Sequence, residues 1–220
     1  MHVIATPLRF ISFEGTEGSG KSTQIALLKA RLEARGDNVI CVREPGGTPL
    51  GEALREILKF SPVGKGICPE AELLLFEASR AELVDKVIAP ALRNSAWVLS
   101  DRFTDSTRVY QGTARCLSED FIDKVNAFAS KSGSLLPSAT LFLDITYEES
   151  QARIRARTGQ ESAGTDRFEA ESRHFFDKVI AGYQIIARNE PGRFRRIEAS
   201  RPKDVVSEEI WKEVTSAFQL

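Results

Sequence analysis

Histidine, cysteine and long apolar runs are all scarce in this chain. The two histidines, His2 and His174, stand too far apart in sequence to suggest a metal cluster. The three cysteines, Cys41, Cys68 and Cys116, are odd in number and form no C-x-x-C. That argues for reduced thiols in a cytoplasmic setting and against a zinc site. Cys41 lies in the apolar run VICV and is expected in the core. No apolar run approaches the ~20 residues of a membrane helix, so no membrane partner is expected. The opening MHVIATPLRF has no charged region followed by a long apolar stretch, so no secretory signal is expected. Charge of one sign is missing too. Thirty Lys and Arg face 31 Asp and Glu, a net charge of −1, which gives no bulk attraction to nucleic acid. N-K-x-D is absent, which removes a guanine-specific switch protein from consideration. Repeats, low-complexity tracts and inter-domain linkers are also missing. What remains is 220 residues, 42% hydrophobic and 28% charged, the profile of one globular α/β domain spanning 1–220.

What is present begins with FISFEGTEGSGKSTQ. An apolar run leads into Gly15, Thr16, Glu17, Gly18, Ser19, Gly20, Lys21 and Ser22, then into an amphipathic pattern from Thr23 onward. This is G-x-x-x-x-G-K-S between a strand and a helix, the context in which it forms a phosphate-binding loop. Glycines let backbone N–H groups turn inward around nucleotide phosphates, and the helix N-terminus adds positive potential there. Lys21 brings a full positive charge to the β- and γ-phosphates, and the Ser22 hydroxyl is a ligand for Mg²⁺. The bland alternative is a glycine-rich turn with a solvated lysine.

Hydrophobic periodicity gives alternating strands and helices. Strands are expected at 10–13, 39–42, 97–99, 141–143 and 194–197. Helices are expected at 21–35, 51–59, 70–88, 121–129, 146–157, 168–189 and 202–218. Ser118 reads as an N-cap, and Thr146 with Glu149 reads as a capping box. Residues 158–165 read as a polar loop. The pattern predicts a three-layer α/β/α fold around a five-stranded parallel sheet, and arginines flank the loop within 153–167. Ligands on such sheets bind beyond the carboxyl ends of the strands. The glycine loop 15–22, the segment 43–48 and Asp101-Arg102 all fall at such ends, so one crevice can hold all three.

Asp101 can act on Mg²⁺ or its waters, and Arg102 can clamp a phosphate in bidentate fashion. Either could equally be half of a surface ion pair. Arg153 and Arg157 share a helix face while Arg155 points elsewhere, so all three cannot reach one phosphate. Phe76 and Arg80 lie four apart on one face, where they could stack on a base and bond its edge. The competing expectation is a core phenylalanine with a surface arginine. Residues 102–112 either line a nucleoside pocket or form an ordinary helix start.

GTEGSGKST, REPGGTPLGEALR, LLFEASR, DRFTDSTRVYQG, LFLDIT and a lid ending in DRFE occur in the order found in bacterial thymidylate kinases. The chain resembles that family from Phe10 to about Ala199. The resemblance implies phosphoryl transfer from ATP to dTMP with Mg²⁺, and a homodimer. It implies that Lys21 and the loop amides hold ATP phosphates, and that Arg102 and Arg55 hold the dTMP phosphate. Phe76 then stacks on thymine, Arg80 donates to its O4, and Thr107 and Gln111 complete the base contacts. Tyr110 packs beside the sugar, Ser106 belongs to the acceptor pocket, and Glu17 faces the 3′-hydroxyl. Pro45 is expected after a cis bond beside the acceptor phosphate. Gly18 stands where some members carry a basic residue, so the catalytic arginines are expected in the lid, among Arg153, Arg157 and Arg167. Truncating Arg80 is expected to cost turnover more than stability. The competing readings are a kinase for another acceptor and a nucleotide-binding regulator without turnover.

Overall fold

The structure is a computed structural model, described over residues 7–158 and 166–220. Five strands, β1 (Phe10–Glu14), β2 (Val39–Arg43), β3 (Trp97–Asp101), β4 (Ala139–Asp144) and β5 (Phe194–Glu198), form one sheet. Its order is β2-β3-β1-β4-β5 and every pairing is parallel. The central strands β1 and β4 are buried at every position, in keeping with their predominantly apolar sequences. The edge strands β2 and β5 are buried only at Val39 and Val42 and at Phe194 and Ile197. This corrects the expectation for Cys41: it sits on the edge strand and is exposed.

The helices are α1 (Lys21–Ala34), α2 (Pro49–Lys59), α3 (Pro69–Leu83), α4 (Ala89–Arg93), α5 (Thr104–Thr107), α6 (Glu119–Ala129), α7 (Tyr147–Thr158), α8 (Arg173–Asn189) and α9 (Lys203–Phe218). On one sheet face Leu28 and Leu32 of α1 and Val206, Ile210 and Val214 of α9 pack on Phe13, Leu99, Leu141 and Ile197. On the other, Leu83, Val84 and Ile88 cover Phe10 and Val98, while Val179 and Tyr183 of α8 cover Phe142 and Phe194. Each fully buried side chain of this size stabilises by about 1.5–3 kcal/mol relative to exposure.

Several boundaries differ from the sequence reading, each for a local reason. The helix expected over 70–88 widens into a π segment, Val84–Ile88, before α4. Pro90 has no N–H to give, and Ala89 N–H bonds Val84 O, one residue further back than an α-helix allows. Leu74 of α3 is 56% exposed. The helix expected from 168 starts at Arg173, because Ser172 caps it by accepting Phe175 N–H. Phe168 is thereby left in a separate turn. Residues 104–114, whose role was open, are helical, first as α5 and then as a π segment, Arg108–Ala114. Ser118 caps α6 and the Thr146–Glu149 box opens α7, both as expected.

Candidate active site

The carboxyl ends of β1, β2 and β3 open on one cleft with two halves. The first half is built from backbone. Beyond β1 the chain turns through Gly15, Gly18 and Gly20, with φ of 137°, 74° and 97°. At Gly15 a Cβ would lie 2.6 Å from Leu143 O, so only glycine lets the loop pass this close to β4. Residues 17–24 line a cavity together with Asp101, Arg153, Arg201 and Lys203. Gly15 and Thr16 do not line it. Lys21 is buried and folds back, donating to Gly15 O at 3.2 Å and Thr16 O at 3.0 Å. Burial and the nearby Arg102 lower its pKa, against the pull of Glu17 and Asp101. The hydroxyls of Thr16 and Ser19 are buried and meet no protein partner, as expected where ligand oxygens complete the bonding.

Helix α7 crosses this loop. Ser150 Oγ donates to Glu17 O at 2.8 Å, and Arg153 reaches Gly18 O at 3.4 Å and Ala199 O at 2.8 Å. A Cβ on Gly18 would lie 2.8 Å from Ser150 O. A basic side chain there would displace α7, which gives a steric reason for the glycine. Arg155 is exposed. The side chain of Arg157 and the lid residues 159–165 lie outside the described residues. Arg167 turns away from the phosphate loop. It donates to Leu58 O at 2.9 Å and pairs with Glu72 at 2.6 Å, which makes it a strut rather than a phosphate ligand.

The second half is built from side chains. Glu17, Pro45, Phe76, Arg80, Arg102, Ser106, Thr107, Tyr110 and Gln111 line one cavity, joined by Glu44, Lys59, Phe168 and Phe176. Arg55 lies outside it, in the channel that links the halves, where it donates to Pro45 O at 3.0 Å. The Glu44–Pro45 bond is cis. Phe168 meets Phe76 and Tyr110 edge-on at 5.9 and 6.0 Å, so the turn after the lid roofs the cavity. Lys59 ties that turn down through Asp166 at 2.6 Å and stands 3.8 Å from Glu17.

Arg80 reverses the bland expectation of a surface arginine: it is 1% exposed, while Phe76 is only partly buried. Its Nε donates to Glu44 Oε1 and Oε2 at 3.1 and 2.9 Å. Nη1 bonds Glu77 and, at 2.7 Å, Asn126 Oδ1. Nη2 bonds Glu44 Oε2 at 2.7 Å and Thr107 Oγ1 at 2.9 Å. All five N–H groups have protein partners. One guanidinium serves two buried carboxyls, and burial pushes Glu44 up to about 7 despite Arg80.

Arg102 joins the halves. Nη2 bonds Glu17 Oε1 at 3.2 Å, and its guanidinium stands 5.1 Å over the Tyr110 ring. Burial works against the charge on Glu17. Lys21, Arg102 and Lys59 outweigh it and hold that carboxyl far below the usual range. Ser22 and Asp101 both face the cavity and the channel. A hydroxyl and a carboxylate are hard oxygen donors of the kind Mg²⁺ takes, so the residues present fit that ion. Among the described residues no group of three or more His, Cys, Asp or Glu converges as a self-sufficient metal cage.

Sequence reasoning missed Glu14, Lys59, Phe168 and Tyr183. Two signals were present. Lys59 lies four residues after Arg55 on α2, on the same face, and Glu14 is a charge ending an otherwise apolar strand. Nothing in the local sequence of Phe168 or Tyr183 distinguishes them from core aromatics.

The family model described as thymidylate kinase matches residues 13–210. A thymidylate kinase of Teredinibacter turnerae is 46% identical over 205 residues, covering 92% of this chain and 95% of the relative. Those of Thermomicrobium roseum and Methylococcus capsulatus are each 43% identical. Each alignment covers 96% of this chain, with 96% and 97% of the respective relatives.

Proposed function

The chain belongs to the thymidylate kinase family and phosphorylates dTMP to dTDP with ATP as phosphoryl donor, and we propose that it does so across the two-part cleft described above. The observation that carries this reading is Arg102, which bonds Glu17 of the glycine loop while lining the side-chain cavity. Donor phosphates lie in the loop 15–23, held by its amides and by Lys21 once Nζ leaves the Gly15 and Thr16 carbonyls. The acceptor's base lies between Phe76 and the floor formed by Arg80, Thr107 and Gln111, with Pro45 and Tyr110 beside its sugar and phosphate. Arg102, Ser106 and Arg55 take its phosphate. The whole chain acts as one kinase domain with its lid over 153–167.

The nucleophile is an oxygen of the acceptor's own phosphate. With a second pKa near ~6 this group is largely ionised at neutral pH, so no general base is needed. Repulsion between two anions is the obstacle. Lys21, Arg102, Arg55 and the lid arginines Arg153 and Arg157 offset it, and a closed lid excludes water as a rival acceptor. Ser22 and Asp101 would hold Mg²⁺, which would supply further neutralisation of the donor phosphates. Glu17 would face the acceptor's 3′-hydroxyl and the metal's water shell. Arg80 bonds thymine O4 by releasing a neutral partner, Thr107 or Asn126, while its carboxylate bonds stay in place. Because it can only donate, it opposes the amino group of cytosine.

Two further features belong to this reading. Phe121 and Phe128 on α6 are exposed, as are Leu74 and Ala78 on the contacting helix α3, and these apolar side chains support a homodimer. No helix among the described residues is long and apolar enough to cross a membrane, which fits a cytoplasmic enzyme. The test is an ADP-release assay with ATP, Mg²⁺ and a panel of acceptors. dTMP is the best substrate. dUMP, lacking one methyl, is weaker by about 10–200-fold. Faster turnover of dCMP or thymidine would overturn the assignment.

A further inference from the structure

Glu14 ends β1, just before the glycine loop, and is wholly buried. The phosphoryl transfer described above gives it no part. Its two oxygens nevertheless both address Arg102. Oε1 accepts the N–H of Phe103 at 2.8 Å, the peptide that follows Arg102. Oε2 accepts the hydroxyls of Ser106 at 2.6 Å and Tyr183 at 2.8 Å. Those same hydroxyls accept from Arg102 Nη1, at 3.2 and 3.4 Å. Donor direction is consistent along both paths: guanidinium to hydroxyl, hydroxyl to carboxylate.

The backbone of Arg102 needs such support. Its φ is 72°, in the left-handed region that side-chain-bearing residues rarely adopt. Arg102 N–H donates to Phe13 O at 3.0 Å, and Arg102 O accepts Ser100 Oγ at 2.6 Å. The Phe103–Glu14 bond is the third restraint, and the one of the three with a side-chain acceptor. A right-handed conformation at residue 102 would re-aim the guanidinium away from the channel between the two halves of the cleft.

From this geometry we infer that Glu14 is the positioning residue for Arg102, fixing its backbone through Phe103 and its guanidinium through Ser106 and Tyr183. The inference rests on the reading that Arg102 receives the acceptor's phosphate. Glu14→Gln separates the two functions. The amide oxygen keeps the bond to Phe103, while the amide N–H₂ is a donor where the hydroxyls need an acceptor. Tyr183→Phe removes one of the two hydroxyl paths and keeps the ring contacts with Phe142 and Phe194.

The experiment is calorimetric titration of dTMP, with ATP as the control ligand, into the parent, E14Q, Y183F, R102A and the double variants R102A/E14Q and R102A/Y183F. E14Q weakens dTMP binding about 10-fold and Y183F about 3-fold, with ATP affinity unchanged, as expected for residues coupled through one network. In the R102A background neither substitution costs anything more, because the group they position is gone. A merely structural role would weaken both ligands, or would cost the same in both backgrounds, and either result overturns the inference. So does dTMP binding at parental strength in E14Q and Y183F while R102A binds weakly. Parental dTMP binding by R102A itself would overturn the acceptor-site reading and this inference together.

Discussion

The donor half of the cleft and the acceptor half are built on opposite plans. The donor half is a contiguous stretch of backbone, Gly15 to Thr23, shaped by three glycines with positive φ and open enough that Ser22 and Thr23 are exposed. The acceptor half gathers side chains from the turn after β2, α2, α3, α5, the π segment 108–114, the turn at 166–168 and α8, and buries charges to do so. A backbone site asks for few residue identities and tolerates change around it. A side-chain site makes the stability of the fold depend on the groups that recognise the ligand.

The largest effect tests the donor half. Lys21→Ala lowers turnover by about 10³-fold or more, since a full charge at the transferred phosphoryl group is lost. Its melting temperature stays close to that of the parent, because Lys21 Nζ bonds only two loop carbonyls. An ADP-release assay with a thermal melt checks both. Turnover within tenfold of the parent would remove the loop from the chemistry.

Arg80→Ala tests the acceptor half and has the opposite profile. It leaves Glu44 and Glu77 buried without their counter-charge and destabilises by about 3–5 kcal/mol. This revises the sequence-based expectation that turnover would suffer more than stability. Urea denaturation checks it, and a loss below about 1 kcal/mol would mean that the cluster relaxes into solvent.

The same burial gives the acceptor half a pH signature. Burial pushes Glu14 and Glu44 up to about 7, from an ordinary value of 4.5. Between those values the folded protein holds protons that the unfolded chain has released. Their contribution to stability is complete below pH 4.5 and is lost as pH rises through about 7, on the order of 3 kcal/mol for each carboxyl. Glu17, held low by Lys21, Arg102 and Lys59, acts in the other direction, and only below pH 4.5. Denaturation across pH 5 to 8 reads the slope directly. Glu44→Gln removes about half of it, and an unchanged slope would contradict the assignment.

The smallest effect falls on the joint between the halves. Lys59→Ala removes the bridge to Asp166 and raises the KM for dTMP about threefold, with the KM for ATP unchanged. Steady-state kinetics separates the two constants, and an equal change in both would place Lys59 in general stability rather than at the roof.

The same contrast explains what the sequence makes legible. The glycine loop, α1 and β1 are adjacent in the chain, so spacing alone reveals them. The acceptor residues are recognisable through their resemblance to a family, but their partners are not. Arg80 meets Glu44, Thr107 and Asn126 from positions 27 to 46 residues away, and no periodicity shows that five N–H groups are already committed. Arg167 reads as a lid arginine until tertiary contact with Leu58 and Glu72 turns it aside. Cys41 reads as core until the strand order puts β2 at the edge. In each case the deciding fact is which element lies alongside, and that is fixed by the assembled sheet.

A crystal structure with dTMP and a non-hydrolysable ATP analogue tests the central claim most directly. It should show Lys21 Nζ moved from the Gly15 and Thr16 carbonyls onto the donor phosphates. Arg102 should keep its left-handed backbone, with its guanidinium within hydrogen-bond distance of the acceptor phosphate. An acceptor phosphate beyond the reach of Arg102, or a thymine outside the space between Phe76 and Arg80, would contradict the account.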